Sequence, residues 1–315
     1  MTTGNERARS PIDIRDDGVV PLHPDIETIT ASLPSGSFAD MEHADARRAH
    51  GAAARPRGPE MADITELIIG GCDVTRLRPK NANGSAVVFF HGGGWVLGSR
   101  VTHDSTCRHL AAASAATVFN VEYRLAPEHP FPAAHDDAVE VTRALLSGVD
   151  DSIDRERVAF AGDSAGGNLA VAAALALRDV APAPAALLLV YPALDATMSS
   201  DSYVEFANGP FLTAREMAWF YDAYAQGADP HDQRLSPAWA ATLDGLPSTL
   251  VVTASHDVLR DEGEQFAQAM AAAGCDASAS RHLGATHGFF GWSHAAEPSR
   301  TAMTLAGSWL SKTLS

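Results

Sequence analysis

A serine near the middle of the chain has the setting of a catalytic nucleophile. Gly162-Asp163-Ser164-Ala165-Gly166 matches the pattern G-x-S-x-G, after the apolar run VAFA and before the Ala-rich segment AGGNLAVAAALAL. This setting predicts a tight strand-to-helix turn, in which side chains at Gly162 and Gly166 would collide with the backbone. The turn should push Ser164 into the open at a helix N-terminus, where the Ala165 N–H can stabilise negative charge. A serine that merely caps a helix is the alternative.

Three consecutive glycines follow another apolar run, in His91-Gly92-Gly93-Gly94-Trp95. Without side chains, this backbone can turn its N–H groups toward the oxyanion of a tetrahedral intermediate, and each such donor is worth about 3–4 kcal/mol. A phosphate-binding loop is the competing interpretation. No Walker lysine follows the glycines, and G-x-G-x-x-G does not occur here between a strand and a helix. We therefore favour an oxyanion-binding loop.

A serine hydroxyl is a weak nucleophile at neutral pH, so it needs a base, and the base needs an orienting carboxylate. In folds with this type of nucleophile turn, the acid and the histidine come later in the chain, on loops after late strands. Asp257 follows the apolar run TLVVTASH, and His287 follows ASASRHLG. We therefore predict that Ser164, His287 and Asp257 meet at one edge of a sheet.

Other acids and histidines compete for these roles. Asp261 and Glu262 are the alternative acids, but both lie in the first turn of a predicted helix, where carboxylates interact favourably with the helix dipole. Four other histidines are less well placed: His282 and His294 lie within or near predicted elements, and His135 and His256 are next to aspartates but lack a companion ligand at metal-site spacing.

From about residue 60, short β-branched runs alternate with longer Ala/Leu-rich segments, which predicts an α/β fold with a mostly parallel sheet. The predicted strands are Thr65–Ile69, Asp73–Arg78, Ala86–His91, Thr117–Glu122, Arg157–Ala161, Ala185–Val190, Ser248–Ala254 and Ala277–His282. The predicted helices are Asp104–Ala115, Pro132–Ser147, Ala165–Arg178, Asp261–Ala273 and Ser299–Lys312.

Two segments break this alternation, residues 1–55 and residues 196–228, and the second is rich in aromatic side chains. An insertion between strands lies over the strand ends, where open α/β sheets bind ligands. We therefore expect a cap arm at 1–55, core at 56–195, a cap insertion at 196–228 and core again at 229–315. The alternative for part of the insertion is the buried stripe of an amphipathic helix, made of Met217, Phe220, Tyr221 and Tyr224.

The composition excludes several classes of protein. With 23 Lys and Arg against 39 Asp and Glu, the formal net charge is −16, which disfavours binding to nucleic acids and anionic membranes. Cys72, Cys107 and Cys275 are too few and too scattered for a disulfide framework, which suits a reducing compartment. The N-terminus has no apolar signal region, and the most apolar stretch is too short to span a bilayer. These features predict a soluble cytoplasmic protein, and the proposed chemistry needs neither a metal nor an organic cofactor.

Taken together, the motifs resemble those of the hormone-sensitive lipase family of α/β-hydrolase esterases. The matching segments are HGGGW at 91–95, YRLAPEHPFPAAHDDA at 123–138, GDSAGGNLA at 162–170, DVLRDEG at 257–263 and HGF at 287–289. The resemblance implies an α/β-hydrolase fold with an eight-stranded mostly parallel sheet, flanking helices and a two-part helical cap.

The same resemblance implies a role for each motif residue. Ser164 is the expected nucleophile, Asp257 the orienting acid and His287 the base. The expected oxyanion donors are the backbone N–H groups of the glycine loop and of the residue after the nucleophile: Gly92, Gly93, Gly94 and Ala165. The supporting residues of the two motifs are His91, Trp95, Gly162, Asp163 and Gly166. The expected substrates are small-molecule esters with acyl chains no longer than octanoate.

This chain departs from the family in two places. Val258 stands where the family usually has proline, and the N-terminal arm matches weakly, so substrate choice is the property that transfers least. The alternative activities are those of an amidase, a carbamate hydrolase or a lactonase. A non-catalytic receptor on the same scaffold is a further alternative, which the retained His287 opposes. Family members also often pair as homodimers, which here would involve Ala277–His282 and Ser299–Lys312.

Overall fold

The computed structural model describes residues 20–34, 36–52 and 56–315, so residues 1–19, 35 and 53–55 of the predicted cap arm lie outside the described residues. Eight strands form one sheet in the order β1-β2-β4-β3-β5-β6-β7-β8. The strands are β1 (Asp63–Ile69), β2 (Cys72–Arg78), β3 (Ala86–Phe90), β4 (Thr117–Glu122), β5 (Val158–Asp163), β6 (Ala186–Val190), β7 (Ser248–His256) and β8 (Ala277–Thr286). Pairing is antiparallel for β1 with β2 and for β2 with β4, and parallel for the other neighbours. The predicted mostly parallel sheet is confirmed.

The central strands are apolar along their whole length because both of their faces are covered. In β3, Val88 and Phe90 belong to a core on one side of the sheet, while Val87 and Phe89 belong to a second core on the other side. This is the side-to-side alternation of a strand, here with helices on both faces. The sheet therefore forms the middle of three layers.

Nine α-helices occur in the described part of the chain. They are α1 (Pro24–Ser32), α2 (His43–Ala52), α3 (Asp104–Ser114), α4 (Ala133–Leu146), α5 (Ala165–Leu177), α6 (Asp201–Glu205), α7 (Ala214–Ala225), α8 (Arg260–Ala272) and α9 (Glu297–Thr313). Helices α3 and α9 supply side chains to one core, and α4, α5 and α8 to the other. No described helix is both long and apolar enough to cross a membrane.

Three strands run further at their carboxyl ends than the sequence predicts, and all three extensions lead to the predicted site. β7 continues past Ala254 to His256, next to Asp257. β5 continues past Ala161 to Asp163, next to Ser164. β8 continues past His282 to Thr286, because a register irregularity in β7 lets His256 pair with Thr286. The carboxyl ends of these parallel strands therefore deliver their following residues to one edge of the sheet.

The insertion and part of the N-terminal arm contact each other. The Ser37 hydroxyl donates to Glu216 Oε1 on α7 at 2.9 Å, and the ring of His43 on α2 stacks on Trp219 with centroids 4.6 Å apart. Helix α1 instead lies beside the edge strand, where the N–H of His23 donates to the carbonyl of Gly284 at 2.9 Å. The exact borders of the cap segments, 1–55 and 196–228, stay a prediction.

Candidate active site

Ser164 lies in a single-residue turn between β5 and α5. Strand β5 ends at Asp163 and helix α5 begins at Ala165, so the serine alone makes the reversal, with φ 55° and ψ −121°. A positive φ is unfavourable for a residue with a side chain, and such geometry persists only where the surroundings impose it. A Cβ on Gly166 would overlap the carbonyl oxygen of Phe90, and one on Gly162 would overlap the carbonyl of Gly166. Both glycines are therefore steric requirements of this turn.

The three predicted triad residues come together at this turn. His287 Nε2 lies 3.0 Å from Ser164 Oγ, and His287 Nδ1 lies 2.8 Å from Asp257 Oδ2. The other carboxylate oxygen of Asp257 accepts the Leu259 N–H at 3.0 Å. Because a carboxylate only accepts, Nδ1 of the histidine carries the proton, which leaves Nε2 as the acceptor for the serine hydroxyl. The arrangement can activate a hydroxyl nucleophile.

The site is more enclosed than the sequence predicts. We expected an exposed Ser164, but the serine is 6% exposed and His287 is 7% exposed. The expectation was wrong, and aromatic side chains of the insertion pack on the glycine loop and on the loop of His287. Phe220 on α7 lies so close to Gly94 that a Cβ there would overlap its ring, and Phe211 would lie 2.9 Å from a Cβ on Gly288. Ser164 and His287 are therefore largely shielded from solvent.

The glycine loop after β3 has the geometry of an oxyanion-binding loop, with one correction. Gly93 and Gly94 have φ values of 123° and 60°, which favour glycine. Among the described residues, no acceptor receives the N–H groups of Gly93, Gly94 or Ala165. Gly92 differs, because its N–H donates to Asp163 Oδ1 at 2.9 Å and is therefore not free for an oxyanion. The prediction of Gly92 as a donor is wrong.

Comparisons with known proteins agree with this geometry. A family profile described as an alpha/beta hydrolase fold matches residues 87–291. The carboxylic ester hydrolase LipN of Mycobacterium tuberculosis is 41% identical over 248 residues, which are 74% of this chain and 66% of LipN. The chain thus spans slightly less than two thirds of that relative. An acetyl-hydrolase of Streptomyces hygroscopicus is 35% identical, with 78% of this chain and 81% of that protein covered.

A solved structure resembles the whole architecture. An ester hydrolase from the metagenome of Lake Arreo, in complex with a bipyridine phosphonate derivative, superimposes with a TM-score of 0.85 at 35% identity. The alignment covers 92% of this chain and 98% of that one. The chain belongs to the α/β-hydrolase family. The predicted fold is confirmed, and so is the resemblance to the esterases of the hormone-sensitive lipase family.

In this α/β hydrolase, the side chains of His91 and Tyr123 hydrogen-bond to the backbone of the glycine loop. His91 Nδ1 donates to the carbonyl of Gly92 at 2.9 Å, and Tyr123 donates its hydroxyl to the carbonyl of His91 at 2.7 Å. Burial, together with the charge of His103, lowers the pKa of His91 to about 3. His91 therefore stays neutral at physiological pH, and it is a structural support.

Trp95 couples the loop to the cap. It has φ 60°, and its ring stacks on Tyr224 of α7 with centroids 4.5 Å apart and an interplanar angle of 7°. The buried stripe of α7 packs on this loop. Helix α7 is therefore both part of the insertion and an amphipathic helix with a buried stripe, as the two interpretations of the insertion proposed.

Tyr123 was not singled out from the sequence, although it opens the quoted segment at 123–138.

The two alternative acids, Asp261 and Glu262, hydrogen-bond to residues outside the triad. Asp261 accepts the N–H of Ser202 at 2.9 Å, and Glu262 accepts the N–H of Leu194 at 2.7 Å, so neither acid serves only the helix dipole and neither bonds to His287. In the described residues, no group of three or more His, Cys, Asp or Glu side chains has an arrangement that could hold a metal ion.

Proposed function

We propose that this α/β hydrolase is a serine carboxylesterase that cleaves small esters through an acyl-enzyme. The observation that carries the proposal is the hydrogen-bonded series from Asp257 through His287 to Ser164, at 2.8 and 3.0 Å. The names of the relatives, a carboxylic ester hydrolase and an acetyl-hydrolase, support the same reaction class. The retained histidine opposes a receptor role.

The reaction proceeds in two halves. Ser164 Oγ attacks the ester carbonyl carbon while His287 Nε2 takes the hydroxyl proton, and the carbonyl electron pair moves to the oxygen. The N–H groups of Gly93, Gly94 and Ala165 receive that oxyanion. The imidazolium then gives its proton to the departing alkoxide, which leaves as the alcohol. A water molecule repeats the sequence on the acyl-enzyme, so that the acid is released and the serine hydroxyl is restored.

The enclosed geometry supports a preference for short acyl chains. The ring of Phe220 lies against Gly94 of the glycine loop, and the ring of Phe211 lies against Gly288, next to His287. An acyl chain must fit between them, and a long chain would have to displace the cap. We therefore propose acetate to octanoate esters as the substrate range, with the cap segments at 1–55 and 196–228 shaping the pocket.

The decisive experiment compares the wild-type chain with Ser164→Ala on p-nitrophenyl acetate, butyrate, octanoate and palmitate. We expect loss of at least about 1,000-fold in kcat for the alanine variant, because no other hydroxyl can form the acyl-enzyme. Ser147→Ala is the control, since that exposed hydroxyl bonds only to the nearby carbonyl of Ala144. Near-normal rates in Ser164→Ala would reject the mechanism, and a preference for palmitate would reject the pocket assignment. Parallel anilide, carbamate and lactone substrates separate the esterase from the alternative activities.

A further inference from the structure

Asp163, next to the nucleophile, links the two catalytic loops. Its carboxylate is buried, and Oδ1 accepts the N–H of Gly92 at 2.9 Å. The fit is close, since a Cβ on Gly92 would lie 2.5 Å from Asp163 Oδ2. Gly92 directly precedes the two glycines whose N–H groups have no acceptor. The position of this carboxylate therefore sets the position of the loop backbone.

A histidine outside every sequence motif faces that carboxylate. His103 Nε2 lies 3.4 Å from Asp163 Oδ1, an ion-pair distance, and the histidine side chain is largely buried. Its ring lies roughly parallel to that of His91, with centroids 5.5 Å apart. His103 immediately precedes α3, and its Nδ1 lies 3.0 Å from Thr102 Oγ1. Both ring nitrogens therefore have partners that fix the orientation of the ring.

Both ring nitrogens of His103 face oxygen atoms that can accept a hydrogen bond. Thr102 Oγ1 accepts the Ser99 N–H at 2.9 Å and donates its only hydrogen to the Ser99 carbonyl at 2.9 Å. The remaining lone pair of this hydroxyl can only accept, so Nδ1 of His103 is the donor. On the other side, the carboxylate of Asp163 also accepts only. In this arrangement Nε2 of His103 faces a carboxylate oxygen that can only accept.

The electrostatics of Asp163 agree with this pairing. Burial opposes its ionisation, but the charge of His103 and the hydrogen bonds from His103 and Gly92 outweigh burial and hold its pKa below the usual range. Removing His103 would leave a buried carboxylate with one N–H donor, a costly arrangement that favours movement of the carboxylate toward solvent. The Gly92 N–H would move with it.

We propose that His103 is a positioning residue for the oxyanion hole, acting through Asp163 and the Gly92 N–H. This inference rests on the proposed function, because it assigns the N–H groups of Gly93 and Gly94 to the oxyanion. His103 touches no reacting atom. We therefore expect His103 to affect the stabilisation of the tetrahedral intermediate but not the binding of substrate.

The kinetic test uses His103→Phe, which keeps a ring but has no donor, and His103→Gln, whose amide can still donate to Asp163. We expect kcat to fall about 10- to 100-fold in the Phe variant with KM within about twofold, less than the full loss of one oxyanion donor. The inhibition constant of a trifluoromethyl ketone, whose adduct with Ser164 carries an oxyanion, should rise by the same factor. The Gln variant should recover most of both. His109→Phe on α3, whose Nδ1 lies 2.8 Å from the Ser105 carbonyl, is the matched control.

Three results would overturn the proposal: wild-type kcat in His103→Phe, a fall in kcat without a matching change in the ketone constant, or an equal loss in His109→Phe. If the Phe variant does not fold, Asp163→Asn takes its place. That variant keeps an acceptor for Gly92 but has no charge for His103, so it should show the same paired loss, and unchanged kinetics would overturn the proposal.

A readout that needs no activity separates this inference from the proposed function. Hydrogen–deuterium exchange of residues 91–98 should be faster in His103→Phe than in the wild type and in His109→Phe, because the Gly92 N–H loses its fixed acceptor. Unchanged exchange would overturn the positioning role even if the chain hydrolyses no ester. Failure of ester hydrolysis with faster exchange would instead reject only the proposed function.

Discussion

Two buried carboxylates, Asp257 and Glu262, differ in how many hydrogen bonds their oxygens accept. Asp257 accepts hydrogen bonds on both oxygens, from His287 Nδ1 and from the Leu259 N–H. Glu262 accepts the Leu194 N–H on Oε1, while its Oε2 is buried without a hydrogen-bond partner in the described part of the chain. Burial raises the pKa of Glu262 well above its usual range. The environment of Glu262 therefore favours its neutral form.

This difference predicts how stability depends on pH. With its pKa raised in the folded state, Glu262 binds a proton in the native protein that the unfolded chain has already lost above about pH 4.5. Its contribution to the free energy of unfolding therefore declines as pH rises from the unfolded pKa to the folded pKa. Glu262→Gln keeps an oxygen for Leu194 and cannot ionise. We expect it to be more stable than the wild type at pH 8 and about equal at pH 4, measured by urea unfolding.

Glu264 on the same helix is a control, because its contribution to stability should change with pH in the opposite direction. Burial raises its pKa, but hydrogen bonds from Arg281 and Thr253 outweigh burial and lower it overall. Its contribution is therefore present above the unfolded pKa and is lost as pH falls through the folded pKa. Glu264→Gln should be less stable than the wild type at pH 8, and the gap should close toward pH 3. Equal stability of Glu262→Gln and the wild type at pH 8 would contradict the assignment.

At the scale of elements, helix α7 joins the cap to the oxyanion loop. Phe220 lies against Gly94, and Tyr224 stacks on Trp95. The helix begins with a capping box in which Thr213 and Glu216 exchange hydrogen bonds with each other's backbone. Glu216 also accepts a hydrogen bond from Ser37 of the N-terminal arm, so this arm helps to fix the position of α7. We therefore expect the position of α7 to limit the space for the acyl chain.

Phe220→Ala tests that limit. Removing the ring opens apolar space beside the oxyanion loop, and each buried methylene of a substrate gains about 0.8 kcal/mol. Two additional methylenes would change kcat/KM by about tenfold, so the ratio of octanoate to acetate turnover should rise by that factor. The substitution should also cost about 3 kcal/mol or more of stability, and Phe220→Leu is the milder variant if Ala does not fold. Val204→Ala, at an exposed position of α6, is the control. An unchanged ratio in both Phe220 variants would contradict the role of α7.

Strand and helix types were predictable because their signals are local. The runs AVVFF and ALLLV predict buried strands by composition alone, and the G-x-S-x-G pattern predicts the turn at Ser164. Contacts between distant segments were not predictable in the same way. The enclosure of Ser164 depends on where the insertion packs, and the use of the Gly92 N–H depends on the rotamer of Asp163. His103 carries no sequence signal, because its partner is 60 positions away.

At the scale of the whole molecule, both edge strands of the sheet carry exposed apolar side chains, and Ile68 on β1 is 77% exposed. Strand β8 pairs only with β7, and Leu283 on it is 63% exposed. His23, which precedes helix α1, bonds to Gly284 and covers the last part of this edge, and among the described residues no further strand pairs with the earlier part. On α9, which supplies the neighbouring face, Leu305 is also exposed. An open edge strand with apolar neighbours favours pairing with a second copy.

We therefore expect a homodimer formed through β8 and α9. Each copy carries a formal charge of −16, so repulsion should weaken pairing at low ionic strength, and added salt should strengthen it. Analytical ultracentrifugation should find twice 33.1 kDa for the wild type at moderate salt and the single-chain mass for Leu283→Asp. Ile68→Asp is the matched control, because Ile68 is an exposed apolar residue on β1, the opposite edge strand. A wild-type monomer at all salt concentrations would reject pairing, and dissociation by Ile68→Asp alone would assign the interface to the other edge.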